Sequence, residues 1–185
     1  LSGGNMKKFL LVALMTLLFC GCSMTGTPSI KVSEYLSKFN SLDELVIQDM
    51  ESTIQGENLS VENTTIYRNV LQRQYQDLKY DIVEESINGD SAVVIAKITV
   101  YDLHTSKMNS EAYMNEHQDE FLDMDNMFDQ ESYMKYRLEN MLSTKDTVSH
   151  NISFNLTKKD DEWVIDEIDR VTLEKIHGLY FENQD

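Results

Sequence analysis

Cysteine is confined to Cys20 and Cys22, both near the N-terminal end. No disulfide framework can brace the rest of the chain, so its stability rests on packing. Thiolate metal sites beyond that region are excluded with it. Basic charge is the next shortage. Sixteen Lys and Arg face 32 Asp and Glu, for a formal charge of −16. Such a surface repels phosphate backbones, which argues against nucleic-acid binding. Seven glycines form no phosphate-cradling loop and no nucleophile elbow. The single proline, Pro28, rules out a Pro-rich linker. One long apolar run exists, Phe9 to Phe19. As a helix its eleven residues would reach only about 16 Å, against a hydrocarbon core of roughly 30 Å. A permanent transmembrane helix is not expected.

That run has its own context. Lys7 and Lys8 precede it, and Cys20, Gly21 and Cys22 follow. The order is the charged, apolar and small-residue regions of a secretory signal. Its end resembles the lipobox of bacterial lipoproteins, with Gly21 directly before Cys22, Cys20 as the small residue behind it, and Phe19 where Leu is usual. Cys20 is the poorer acceptor, because bulky Phe19 would then sit near the cleavage point. The resemblance implies that Cys22 carries a thioether-linked diacylglycerol and opens the mature protein. Two or more acyl chains, at about 0.8 kcal/mol per buried CH₂, hold a domain at a membrane. The implied address is the extracytoplasmic face of a cell membrane. Residues 1–5, LSGGN, read as a translated upstream segment, which makes Met6 the expected start.

Beyond the signal, residues 22–29 read as a short polar tether, and residues 30–185 as one domain of ordinary size. Val32, Tyr35, Leu36 and Phe39 have helical spacing. Leu42, Leu45, Val46, Asp49, Met50 and Ile54 continue it, with Gly56 as a stop. A third helix is expected from about 61 to 79, with Ile66, Val70, Leu71, Tyr75 and Leu78 on its inner face and Tyr67 and Gln74 flanking. The period then changes to two. Tyr80 to Ile87 leads into the tight-turn signal Asn88-Gly89-Asp90, and residues 92–103 form a long strand. Val94, Ala96, Ile98 and Val100 share one of its faces, and its apolar content places it centrally in a sheet. Polar helical sequence interrupts the sheet from about 105 to 144. Two strands follow around the turn Lys159-Asp160-Asp161-Glu162, and a closing helix carries Leu173, Ile176, Leu179 and Tyr180.

Helices first, then two hairpins with a helical insertion, make an α+β domain with helices packed on a curved antiparallel sheet. It resembles the NTF2-like, cone-shaped domains of small exported bacterial lipoproteins. The residues that carry this are Val32-x-x-Tyr35-Leu36, the strand after Asn88-Gly89-Asp90, and Ser153-Phe154-Asn155-Leu156 followed by Asp161-Glu162-Trp163-Val164-Ile165-Asp166. A cystatin-like sheet around one helix is the nearest rival.

Candidate chemistry is sparse. His104, His117, His150 and His177 fall on separate elements, none with a second ligand at metal spacing. Residues 119–131, DEFLDMDNMFDQE, are the sharpest acidic cluster. They lack the glycine of a calcium loop and read as a solvated helix face with Phe121, Met124 and Phe128 turned inward. No catalytic residue, cofactor or metal is expected. Tyr67, Tyr101, His150 and Trp163 are the candidates to line a pocket in the cone. The expected function is non-catalytic: binding a small apolar ligand there, or a protein partner on the open sheet face. The alternatives are an enzyme with an acid/base pair hidden in the cone, and an assembly protein that forms a homodimer through its sheet.

Overall fold

The computed structural model describes residues 26–181. Cys22, the signal and most of the tether lie outside them. The described part is an α+β fold, with helices on one side of a four-stranded antiparallel sheet of order β1-β2-β3-β4. Helix α1 spans Pro28–Ser41, α2 Glu44–Gly56 and α3 Val61–Gln76. Strands β1 (Lys79–Asn88) and β2 (Ser91–Tyr101) form the first hairpin. Helix α4 (Leu103–Glu116), a 3-10 turn (Gln118–Phe121) and α5 (Gln130–Ser143) make the insertion. Strands β3 (Thr147–Lys159) and β4 (Glu162–Ile165) and helix α6 (Arg170–Ile176) complete the chain.

Capping residues set these boundaries. Thr27 caps α1, accepting from the Ile30 amide at 3.3 Å, and Pro28 fills the first helical turn, where a missing N–H is harmless. The helix thus starts four residues ahead of Val32, the first residue of its apolar spacing. Asp43, Ser60, Asp129 and Asp169 cap α2, α3, α5 and α6. Gly89 closes the first hairpin at φ 61°, a conformation that glycine adopts without a Cβ clash.

Strand β2 lies inside the sheet, as its sequence requires. Its inward row Val94, Ala96, Ile98 and Val100 meets Ile152, Phe154 and Leu156 of β3, and all seven are buried. Against this face pack Val32, Leu36 and Phe39 of α1, and Val70, Leu71 and Tyr75 of α3. Tyr35 meets Phe39 edge-on at 5.6 Å and Phe154 at 5.8 Å, and Phe39 meets Tyr75 at 5.3 Å. Side chains therefore occupy the space between sheet and helices. Burial holds the Tyr35 hydroxyl neutral, with its pKa pushed up to about 12, and the Asp49 carboxylate acts in the same direction.

The acidic segment departs from the expected helix face. Phe121 is buried, but Met124 is 103% exposed and Phe128 44%. The Asp123 carboxylate accepts from the amides of Asp125 and Met127, and Asn126 turns at φ 57°. A side chain that bonds its own backbone competes with the helix ladder. The chain folds back instead, and Leu122 bridges Phe128.

Candidate functional site

The insertion builds its own layer. Tyr113 of α4 stacks on Tyr136 of α5 at 5.1 Å, and Phe121 meets Tyr133 edge-on at 5.6 Å. Asn63 of α3 reaches the insertion by donating to the Glu131 carboxylate at 2.8 Å. Arg73 of α3 donates to the carbonyls of Leu142 (2.6 Å) and Thr144 (2.8 Å) at the end of α5, and its guanidinium lies 3.7 Å from the Tyr101 ring centroid. A cation at a helix C-terminus meets the negative end of its dipole. Helix α5 is thus pinned to α3 at both ends.

These contacts leave a small pocket of about 100 Å³. It opens where the end of α2, α3, α4, α5 and the chain after α6 converge. Leu59, Met134, Leu138, Met141 and Leu179 form its apolar wall; Tyr67, Glu57, Lys107 and Arg137 supply the polar groups. Tyr67 is buried. Burial raises the pKa of its hydroxyl, the Glu57 carboxylate adds to that, and the Arg137 guanidinium opposes it. A second concavity, about 370 Å³, is a polar groove between α4 and α5 that includes Asn109, Tyr113, Tyr136 and Asn140.

The four pocket candidates from sequence do not meet in one cavity. Tyr67 lines the α3/α5 pocket. Tyr101, at the end of β2, donates to Asp77 at 2.8 Å beside a different cleft. Trp163 lies in a groove against Lys31, Glu34, Tyr35 and Lys38 of α1. His150 is on the inward side of β3, edge-on to Tyr180 at 5.4 Å. Among the described residues, no group of three or more His, Cys, Asp or Glu is placed to hold a metal.

Arg137 also lines the pocket beside Tyr67, though it is not among the residues expected there. Met134, Arg137, Leu138 and Met141 follow i, i+3, i+4, i+7 spacing. A cation in the middle of such an apolar stripe was the available signal.

His177 ends α6 with its ring 5.6 Å from that of Tyr75. Its Nε2 is buried with no hydrogen-bond partner among the described residues. Burial lowers its pKa, against the opposing pull of Asp49 and Glu174. The folded form thus holds this imidazole neutral, while the unfolded chain protonates it near the ordinary value of about 6.5. The contribution is present in full above that value and is lost as pH falls through the folded pKa. Thermal melts should show a falling midpoint as pH drops from 7 to 5, and His177→Gln should flatten that slope. An equally steep slope in the variant would refute the assignment.

No family model matches the chain, and no curated protein matches it in sequence. One solved structure is similar, that of a candidate lipoprotein, ycdA, of Bacillus subtilis subsp. subtilis str. 168. It is 15% identical with a TM-score of 0.47, and the match covers 82% of this chain and 55% of that one. No helix of the described residues is long and apolar enough to cross a membrane.

Proposed function

We propose that this is a lipid-anchored, extracytoplasmic binding protein whose folded body captures a ligand rather than transforming one. The observation that carries the reading is in the N-terminal sequence. A charged, then apolar, then Gly-Cys stretch ends at Cys22, with five residues between it and Pro28, which opens the first helix. Five extended residues span at most about 18 Å, so an acylated Cys22 would hold the domain close to the lipid surface. The binding place is the pocket beside Tyr67, in the helical layer rather than in the cone that the NTF2-like resemblance implied, where an apolar wall meets a few convergent polar groups.

Two tyrosine–carboxylate pairs bear on the non-catalytic reading. Tyr101 bonds Asp77, and Tyr113 bonds Glu120 at 2.9 Å. In each, the hydrogen bond to the carboxylate raises the tyrosine pKa. That moves the hydroxyl further from neutral pH, the opposite of what a general acid or base needs. Turnover of ester or glycan substrates by the purified protein would count against this reading.

The anchor has a direct test. In cells fed radiolabelled palmitate, the parent chain should carry label and sediment with membranes. Cys22→Ala should lose the label and nearly all of the membrane-bound fraction. A variant that stays bound to the same extent would sink the proposal.

A further inference from the structure

We infer that the pocket beside Tyr67 is a receptor for a monocarboxylate with a short apolar tail, whose carboxylate sits on Arg137 and Lys107. This rests on the reading of that pocket as the ligand site and gives the ligand its chemical class.

The four arginines of the described residues have different partners. Arg68 is paired with Glu51, its Nη2 at 2.8 Å from a carboxylate oxygen. Arg170 is paired with Glu174 at 2.7 Å. Arg73 is spent on two carbonyls and a ring face. Arg137 differs from all three in that neither a carboxylate nor a backbone carbonyl of the described residues takes its nitrogens. No carboxylate of the described residues lies within ion-pair distance of it, although acidic residues outnumber basic ones two to one. One terminal nitrogen reaches the Met134 sulfur at 2.9 Å, a weak acceptor, and the guanidinium also bonds the Tyr133 hydroxyl, which carries no balancing charge. Nε is buried with no partner. A guanidinium cannot shed its charge, and buried donors left unmatched are rare because they are costly. An arginine held this way has donors to offer an incoming acceptor.

The surroundings say which acceptor. Lys107 adds a second cation from α4, and Glu57 stands on the rim as the single acid. Two positive charges against one negative leave room for one anionic charge, which suits a carboxylate better than a phosphate dianion. Leu59, Met134, Leu138, Met141 and Leu179 can receive only hydrocarbon. A volume of about 100 Å³ is well below the roughly 300–1,000 Å³ of pockets for drug-sized ligands. A carboxylate with a few methylenes fits that description. Methionine walls adapt to chains of different length.

The test uses hexanoate, 1-hexanol and inorganic phosphate as probes of the purified protein. Binding is followed by calorimetry, and by NMR of the Arg137 Nε–H and the Met134 and Met141 methyl groups. Hexanoate should bind at least tenfold more tightly than hexanol or phosphate and should move all three signals. Arg137→Gln should weaken hexanoate at least tenfold, with Arg137→Lys intermediate. Lys107 and Glu57 are exposed, so their variants carry little folding risk. Lys107→Gln should weaken binding severalfold, and Glu57→Gln should tighten it. Hexanol binding as tightly as hexanoate, unmoved by Arg137→Gln, would overturn the carboxylate assignment while keeping the pocket as a ligand site. No response to hexanoate or hexanol would overturn both. Signals that move elsewhere while Arg137 and the two methionines stay still would refute the location.

Discussion

Gly178→Ala should destabilise the protein by about 3 kcal/mol or more, lowering the melting midpoint by roughly 6–12 °C for a domain of this size. Two independent causes add. Gly178 has φ 70°, where an L-residue costs about 1–2 kcal/mol. A Cβ there would also run into the Gln74 amide and the Tyr101 carbonyl, and overpacking typically costs about 1–3 kcal/mol. Those two groups have no slack. Gln74 is buried and holds the end of β2 from both sides, donating to the Tyr101 carbonyl at 3.2 Å and accepting from its amide at 3.1 Å. The Gly178 carbonyl accepts from His104 at the start of α4. One glycine therefore joins α3, β2, α4 and the end of the chain. Gly89→Ala is the control, because φ there is 61° but nothing lies within 4 Å of the added carbon. It should cost about 1–2 kcal/mol. Urea denaturation of both variants separates strain from collision, and equal losses would remove the collision from the account.

Much of the architecture was legible in the sequence because its signals are local. Asn88-Gly89-Asp90 marks a hairpin wherever it stands between alternating residues, and the row Val94 to Val100 needs cover on one face regardless of what supplies it. The opening helices could be read from spacing for the same reason. Gln74 shows where that reading stops. It stands at the edge of the α3 stripe by periodicity, yet it is 1% exposed. Its amide matches two backbone groups at the end of β2, 27 residues away. Nothing local announces that match. The acidic segment fails for the opposite reason. Its Phe, Met and Phe have acceptable helical spacing, but Asp123 offers the backbone a closer partner than the next turn would.

The candidate site was less legible than the fold because it needs five elements at once. Tyr67 was expected near a ligand and does line a pocket. Its neighbours Lys107 and Arg137 come from the insertion, whose pattern was weak. A cation among apolar residues of a helix reads as a snorkelling side chain until the tertiary structure shows whether its nitrogens reach water. For Arg137 Nε they do not.

Phe154→Ala should cost about 3–5 kcal/mol, the range for removing a buried ring, and should leave hexanoate affinity at the Arg137 pocket within about twofold of the parent. The ring is 1% exposed, lies edge-on to Tyr35 at 5.8 Å, and faces Val94 across the sheet. Its neighbours are anchored in α1, β2 and β3, so the void cannot collapse without shifting a strand. No strand residue lines the Arg137 pocket, which is why stability and binding should separate. The pair of measurements distinguishes two places where such a domain could hold a ligand. If the ligand belonged under the sheet, emptying that space would change its affinity strongly, in either direction. With the space under the sheet acting as core, the loss appears in the urea midpoint alone. A large change in hexanoate affinity in Phe154→Ala, with the fold otherwise intact by circular dichroism, would move the site from the helical layer to the sheet.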